Sequence, residues 1–290
     1  MAEPISDLIR QMWLIRHTEV ALLDLFSQGR VRGTVHTCQG QEACAVGVLS
    51  ALNKDTDILF SNHRGHGHYL AYSADVKGLV AEVLGLPSGV CQGIGGSQHL
   101  QYKNFYTNGI QGAGVAITVG MALAEQYKGN NVVAVPFIGD GTFGEGAIYE
   151  AFNLAALWRA PVMFVVEFNH YAQSTSSYMQ HAGDLRTRAS SFGIPVTVID
   201  GMDVLQVRAA ATEIAASVRA GKGPAMLFLE TYRLGPHSKG DDFRDKDEIE
   251  HHRKRDPLIL SQHLISAQDY ADIKQQTASE VQQIITELLA

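Results

Sequence analysis

Phe137–Ile138–Gly139–Asp140–Gly141–Thr142 is predicted to be a tight turn between a strand and a helix. The apolar run at 132–138 predicts a buried parallel strand. Apolar residues recur at helical spacing across 147–158, so a helix is expected after the turn. A second apolar run, at 162–167, predicts the next strand and leads to Asn169. This order is a βαβ unit, and it predicts an α/β fold with a doubly wound, mostly parallel sheet and helices on both faces.

Polar side chains follow the two predicted strands. Asp140 comes directly after the first strand, and Asn169 follows the second. Because the carboxyl ends of parallel strands meet at one edge of a sheet, we expect the two side chains to lie close together. A carboxylate and an amide oxygen suit Mg²⁺ held beside a diphosphate, and Gly139 and Gly141 let a phosphate approach the backbone. A Gly-Asp-Gly tripeptide alone is common in turns, so the prediction depends on the Asn after the second strand.

The composition is that of an ordinary globular protein. The chain has 290 residues, 46% hydrophobic and 18% charged, and its net charge of −7 argues against recognition of nucleic acid through phosphates. Its three cysteines show no metal spacing and predict a reducing compartment, the cytoplasm. Arg10 and Arg16 interrupt the apolar N-terminal stretch, so neither a signal peptide nor a membrane span is expected. We expect a single domain, 1–290, with a C-terminal helical tail.

Hydrophobic periodicity predicts the remaining elements. On the helix expected at 4–28, Val20 is assigned to the apolar face. Further helices are expected at 40–52, 115–127 and 204–219, further strands at 194–199 and 225–230, and a strand that runs into a loop at 58–69. The charged run at 245–255 predicts a solvated helix, and one or two surface helices are expected at 260–290.

Three histidines alternate with glycine in the segment 62–68. They are His63, His66 and His68, and Arg64 lies among them. A histidine cluster suggests Zn²⁺, but this alternation without a cysteine or a carboxylate is not a known zinc spacing. The guanidinium of Arg64 is a fixed fork of donors, so the segment favours recognition of a diphosphate or another anion.

Two more polar loops are candidates for function. Residues 89–100 are rich in glycine but lack the lysine–serine pair of a P-loop. Residues 231–242 follow a predicted strand at its carboxyl end, where functional residues concentrate. Because this segment has little apolar surface to bury, we expect it to be mobile, and open to proteases near Lys239, until ligand and partner are present.

Together these segments resemble the alpha subunit of the thiamine diphosphate-dependent first component of 2-oxo acid dehydrogenase complexes. The resemblance covers nearly the whole chain and includes Gly40–Ala43, Gly95–Ser97, Gly139–Gly141, Glu150–Trp158, Asn169 and Tyr232–Ser238. Among the pyruvate, branched-chain and acetoin types, the stretch Ser61–His68 fits the acetoin-cleaving branch best.

The resemblance implies thiamine diphosphate and Mg²⁺ as cofactors, with roles carried over by position. Asp140, Asn169 and the backbone carbonyl of Tyr171 would bind Mg²⁺. The diphosphate would be held by Arg64, Gly141, Thr142 and His237 next to Gly139, and the aminopyrimidine side would be lined by His63, Gly109 and Gln111. His237 and His66 are the candidate catalytic residues, with His237 as a proton donor to the reacting carbon.

The resemblance also implies partners. A beta subunit would carry the pyrimidine-binding domain and its glutamate, so this chain alone is expected to be inactive and to work as an α₂β₂ assembly. The acyl acceptor would be a lipoyl group on an acyltransferase. Two alternatives stay open: half of a split transketolase-like carboligase, suggested by Gly144–Glu145–Gly146, and a non-catalytic regulatory subunit.

Six positions depart from the family pattern. Gln111 stands where an apolar residue is usual, Gln98 replaces a methionine, Ile94 a basic residue and Phe168 an asparagine. Gly235 and Pro236 replace the His-Gly of pyruvate-type loops, although Gly235 fits the branched-chain type. These changes are predicted to surround the substrate, so the resemblance leaves the identity of the substrate open.

Overall fold

The structure is a computed structural model that describes residues 3–31, 33–238 and 242–290. Its helices are α1 Ile5–Ser27, α2 Glu42–Leu49, α3 His66–Ser73, α4 Val76–Val83, α5 Ala113–Tyr127, α6 Gly146–Leu157, α7 Ser177–Gln180, α8 Val204–Arg219, α9 Lys246–Arg253, α10 Pro257–Leu260 and α11 Ala267–Leu289. Its strands are β1 Ile58–Ser61, β2 Gln101–Tyr102, β3 Phe105–Thr107, β4 Ala134–Gly139, β5 Met163–Phe168, β6 Tyr171–Ala172, β7 Thr175–Ser176, β8 Val196–Asp200 and β9 Ala225–Glu230.

A seven-stranded sheet lies at the centre of the molecule. Its strand order is β2-β3-β1-β4-β5-β9-β8, and all neighbouring strands are parallel except β2 and β3. The register pairs Gly139 with Glu167 and Phe168 with Glu230, so these strands end at the same level. The predicted α/β class with a mostly parallel, doubly wound sheet is confirmed. The short strands β2 and β3 and the hairpin β6–β7 were not predicted.

Hydrophobic side chains cover both faces of the sheet. On β4, Val135 and Phe137 join the core cluster that includes α1, α2, α4 and α8, whereas Ala134 and Ile138 join the cluster that includes α5 and α6. Alternation of buried residues to two faces is the pattern of a parallel strand covered on both sides. That both clusters share one sheet supports the single domain, 1–290, which stays a prediction.

The segment after β1 differs from its prediction. Instead of a loop through residue 69, a short turn leads into α3, which begins at His66. His66 and His68 are buried on the first turn, where their rings contact Glu19 and Glu167. Because these buried carboxylates satisfy the ring nitrogens, the histidines are compatible with a helix packed in the core.

The glycine-rich segment 89–100 is irregular, as predicted, and is organised by one side chain of α4. The buried carboxylate of Glu82 accepts hydrogen bonds from the backbone N–H groups of Cys91, Gly93, Gly95 and Gly96 at 2.7–3.0 Å. In a P-loop, backbone N–H groups of this kind bind a phosphate, and here they bind the carboxylate of Glu82. These four N–H groups are therefore already occupied and are not free to bind an anion.

The polar segment 231–242 is only partly as expected. Its first residues, 231–235, are buried, and Arg233 is 1% exposed. Arg233 Nη1 donates to Gly235 O at 2.7 Å, and Arg244 Nη1 donates to Arg233 O at 2.5 Å. The expectation that this segment buries little is wrong for 231–235, because two arginines satisfy its backbone. The predicted protease site near Lys239 lies outside the described residues.

Helix α1 turns a slightly different face to the core than predicted. Leu8, Met12 and Ile15 are buried as expected, but Val20 is 51% exposed and Glu19 is fully buried in its place. Helix α9 has no buried residue, which confirms the solvated helix, and α11 packs along α1. Across the described residues, no helix combines the length and the apolar character needed to cross a bilayer.

Candidate cofactor site

A cavity of about 390 Å³ lies where the parallel strands end at their carboxyl edge. Every residue predicted for cofactor binding lines it: His63, Arg64, Gly109, Gln111, Gly139, Asp140, Gly141, Thr142, Asn169, Tyr171 and His237. They come from segments far apart in the chain, so the fold brings the predicted set together. Their roles stay predictions, while their common location is observed.

Asp140 begins a short 3-10 turn directly after β4. Its Oδ2 accepts a hydrogen bond from Ser177 Oγ at 2.7 Å, and its Oδ1 accepts one from Gly141 N at 3.0 Å. Burial raises the pKa of the Asp140 carboxyl, while the hydrogen bonds from Ser177 and Gly141 act in the opposite direction. Each carboxylate oxygen retains a second lone pair, so the group can still bind a cation.

The second metal candidate lies in a strained turn. Asn169 Oδ1 accepts a hydrogen bond from Tyr171 N at 3.2 Å. The neighbouring His170 and Gln173 have φ angles of 71° and 55°, in the left-handed region that is unfavourable for side chains other than glycine. Backbone strain of this kind is commonly found at functional sites. A Cβ on Gly141 would lie 2.5 Å from Ala172 Cβ, so the approach of this turn requires glycine there.

Arg64 is buried between two segments of the cavity wall. It is 5% exposed, and its Nη1 donates to Thr37 O at 2.5 Å. Its Nη2 lies 3.3 Å from His237 Nδ1. The guanidinium thus brings positive charge to the cavity and holds His237 there.

Two chain segments converge on the wall that contains His36 and His237. Leu234 N donates to Gln39 O at 2.8 Å, which joins the two segments. Gly40 has a φ of 94°, and a Cβ there would overlap the facing backbone. The glycine of the Gly40–Ala43 motif is therefore required by the close approach of the segments that carry the two histidines.

The structure does not bring His66 to the cavity. Its ring is fully buried, with Nδ1 3.1 Å from Glu19 Oε2 and Nε2 2.9 Å from Ser97 Oγ. Because both nitrogens are engaged within the protein, this predicted catalytic residue supports the loop of Ser97 and does not contact the cavity.

Of the six positions that depart from the family pattern, only Gln98 and Gln111 line the cavity. Ile94 is 85% exposed, and Phe168 packs against His170 and Phe228. The expectation that these changes surround the substrate stays a prediction, and only the two glutamines are placed where it could hold.

Sequence reasoning did not assign several residues that line the cavity, among them His36, Gln41 and Glu167. Gln41 Oε1 is buried and has no hydrogen-bond partner among the described residues. Their positions in the sequence were the only indications of a place near the site. Gln41 lies inside the Gly40–Ala43 motif, His36 lies just before it, and Glu167 ends a predicted strand. None of these signals gives a residue a role by itself.

The parallel α/β fold, with Asp140 and Asn169 at neighbouring strand ends beside a cavity, is the arrangement expected of the thiamine diphosphate-binding class of proteins. The sequence matches the family model described as "Dehydrogenase E1 component" over residues 10–290. It is 42% identical over 263 residues to the pyruvate dehydrogenase E1 component subunit alpha of Zymomonas mobilis, covering 88% of this chain and 74% of that one. Identity to the Rhizobium meliloti subunit is 40% over 287 residues, with 96% and 82% covered.

The somatic mitochondrial form of the same subunit from Homo sapiens is 38% identical over 284 residues, with 94% of this chain and 72% of the human one covered. This chain therefore belongs to the dehydrogenase E1 component family. It is an alpha subunit of a thiamine diphosphate-dependent 2-oxo acid dehydrogenase. The matches do not favour the split transketolase-like carboligase or the regulatory subunit.

Proposed function

We propose that this chain holds thiamine diphosphate through Mg²⁺ and, with a beta subunit, decarboxylates a short 2-oxo acid. The observation that carries the proposal is the single cavity lined by all eleven predicted cofactor residues. The names of the relatives make pyruvate the first substrate to test. Acetoin is the second, because Ser61–His68 resembles the acetoin-cleaving branch.

The residues around the cavity fit the cofactor and its metal. Asp140 and Asn169 offer hard oxygen ligands of the kind that Mg²⁺ takes in proteins. Arg64 supplies a positive charge for a diphosphate. The unpartnered Oε1 of Gln41 is a buried acceptor beside the cavity, and such an atom calls for a donor from a ligand or an ordered water.

The chain's own contribution to the chemistry is binding, orientation and proton transfer. Bound thiamine diphosphate supplies an electron-accepting thiazolium ring for cleavage next to a carbonyl. His237 lies on the cavity wall beside Arg64, where its ring can pass a proton to the reacting atoms.

The proposal includes partners and a location. A beta subunit would complete the cavity with the carboxylate for the pyrimidine ring, in an α₂β₂ assembly, and the acyl group would pass to a lipoyl group of an acyltransferase. Ile110, which is 68% exposed, adjoins the cavity residues Gly109 and Gln111 and supports a partner surface there. The proposed location is the cytoplasm, as the bacterial relatives suggest; the human relative is named as mitochondrial.

The metal-dependent site is tested by Asp140→Ala, with Asp272→Ala on the exposed surface of α11 as the matched control. Removal of the carboxylate leaves the diphosphate without its counter-charge. Calorimetric titration of the αβ complex with thiamine diphosphate and Mg²⁺ is expected to show at least a tenfold weaker Kd, or about 1.4 kcal/mol. An affinity equal to that of the control would show that the metal site is elsewhere.

A further inference from the structure

Three imidazole rings meet on one wall of the cavity. The ring centroid of His36 lies 4.8 Å from that of His63 and 4.8 Å from that of His237, and the last two are 5.6 Å apart. One ring nitrogen of each lies within 4.8 Å of the other two. What such a cluster binds depends on which nitrogen of each ring carries the proton.

Each Nδ1 of the cluster faces a group that can only donate. Gln98 Nε2 lies 3.2 Å from His36 Nδ1, and Gln111 Nε2 lies 2.7 Å from His63 Nδ1. His237 Nδ1 faces the guanidinium of Arg64 in the same way. Because a carboxamide NH₂ and a guanidinium have no acceptor, each Nδ1 must accept. In a neutral ring the proton is then on Nε2.

A neighbouring hydroxyl orients the carboxamide of Gln111. Thr142 Oγ1 donates to Gln111 Oε1 at 2.9 Å, which turns the Gln111 NH₂ towards His63. Gln98 Oε1 lies against Gly109, where an added Cβ would overlap it, so the glycine leaves the space that this carboxamide occupies. Gln111 is thus held as a donor by a hydrogen bond on the side away from its ring, and Gln98 keeps its place through the space beside Gly109.

Burial and nearby positive charge keep His36 and His63 neutral. Burial, followed by the positive charge of Arg64, lowers the pKa of His36 to about 3 and lowers the pKa of His63 well below its usual range. Arg233 acts in the same direction on both rings. The same positive charges oppose a divalent metal among the rings and favour an oxygen that carries negative charge.

We propose that Gln98 and Gln111 are positioning residues that fix His36 and His63 as Nε2–H donors to a carboxylate or carbonyl oxygen of the 2-oxo acid. The inference rests on the proposed function, because it states which residues of the same cavity contact the substrate. It makes the two glutamines determinants of recognition for a polar, oxygen-rich substrate, since an apolar residue at either place leaves the ring's Nδ1 without a donor.

A buried chain of hydrogen bonds fixes Gln98 in place. Glu19 contacts His66, His66 contacts Ser97, and Ser97 precedes Gln98 in the chain. On the other side, Thr107 Oγ1 donates to Gln98 O at 2.8 Å. The loop that carries Gln98 is therefore anchored to α1 and α3, which gives His66 a supporting role at a distance from the cavity.

The tautomers can be measured directly in the full-length chain labelled with ¹⁵N-histidine. Long-range ¹H–¹⁵N correlation spectra, assigned with His36→Asn and His63→Asn, are expected to show protonated Nε2 and bare Nδ1 for both rings. Gln98→Glu and Gln111→Glu replace a donor by an acceptor of the same shape, so each is expected to move the proton of its own ring to Nδ1. The matched control is Gln92→Glu, an exposed change in the same loop.

Gln98→Met and Gly109→Ala test the same contact without adding a charge. The first removes the donor, and the second displaces the carboxamide of Gln98. Both are expected to give a mixture of the two tautomers at His36 while His63 keeps its wild-type signals. Protonated Nδ1 in the wild-type rings, or unchanged tautomers in the two Glu variants, would overturn the proposal.

Kinetics of the αβ complex separate positioning from a structural role. Gln98→Glu and Gln111→Glu are expected to lower kcat/KM for the 2-oxo acid by about tenfold, the scale of one lost hydrogen bond in a buried site. For Gln98→Glu, which lies outside the predicted cofactor-binding set, the Kd of the cofactor is expected to change by less than about threefold, because the metal ligands remain. Loss of cofactor affinity with an unchanged kcat/KM would overturn the role at the substrate.

The two proposals fail in different ways. If wild-type complex turns over no 2-oxo acid while the ring protons lie on Nε2 as expected, the proposed substrate class is wrong and the tautomer assignment stands. If turnover is normal but the rings carry Nδ1 protons, the proposed function stands and the role of the glutamines is wrong.

Discussion

His237 is the residue to which we assign proton transfer in this cavity. Arg64 holds its ring from one side, and the buried segment 231–235 fixes the backbone before it. We expect His237→Ala to lower turnover of the αβ complex by about 10²-fold or more, the usual effect of losing a general acid or base. The cofactor Kd should change less than in Asp140→Ala, because the metal ligands are intact. Steady-state turnover is compared with His263→Ala, an exposed histidine, and full activity in His237→Ala would exclude the catalytic role.

The low pKa of His36 predicts a loss of stability in acid. Burial, with Arg64 beside the ring, lowers this pKa from 6.5 to about 3, so the unfolded chain binds a proton that the folded chain does not. The contribution is present above about pH 6.5 and is lost as the pH falls towards 3. In His36→Gln we expect the free energy of unfolding to fall less steeply between pH 7 and pH 5, measured by urea titration at each pH. Parallel profiles for the two proteins would contradict the shift.

At the residue scale, the sequence predicted those site residues whose type and position at a strand end are specified by a motif. Asp140 and Asn169 could be predicted because the strand pattern places both at one sheet edge, and Gly141 because backbone must approach there. His36 could not, since its segment reaches the cavity through contacts with a distant part of the chain, and Glu167 ends a predicted strand but belongs to no motif. The departures at Gln98 and Gln111 were visible, but their ring partners depend on side-chain orientations that only the packed structure fixes.

At the scale of elements, the loop at 91–96 depends on a single carboxylate of α4. Glu82 accepts two backbone N–H groups at each oxygen. Glu82→Gln turns one of these acceptors into a donor that faces two donors. We expect a loss of about 2 kcal/mol or more in the free energy of unfolding, with faster hydrogen exchange at the amides of Gly95 and Gly96 or of Cys91 and Gly93.

The matched control for this prediction is Glu213→Gln on the exposed surface of α8. Urea unfolding and amide exchange of the two variants are compared under the same conditions. Equal stability and unchanged exchange in Glu82→Gln would show that the loop keeps its shape without the carboxylate.

Elements with a strong period were predictable, and those shaped by buried polar groups were not. The helix at 204–219 and the strand at 225–230 have the bounds that periodicity gives. The face of α1 is shifted because Glu19 is buried by its bonds to Cys38 N and His66. A buried polar contact also accounts for the early start of α3: His68, on its first turn, contacts the buried carboxylate of Glu167 on β5.

At the scale of the whole molecule, the described chain offers one half of the proposed cofactor site. The carboxylate for the pyrimidine ring is proposed to come from the beta subunit. We therefore expect the purified chain to be inactive alone and active with its beta subunit. The measurement is 2-oxo acid oxidation with an artificial electron acceptor, with the beta subunit alone as control. Turnover by this chain without a partner would contradict the prediction.

The cavity draws on residues from His36 to His237, in segments that lie between α1 and α2 and at the ends of β1, β3, β4, β5 and β9. Contacts of such long sequence separation form late, because closing large loops is costly in entropy before the contacts exist. A nascent chain that has not yet reached residue 237 can build individual helices but not this wall. Cofactor therefore cannot guide the early folding of the subunit; it can only select and stabilise chains whose sheet is already complete.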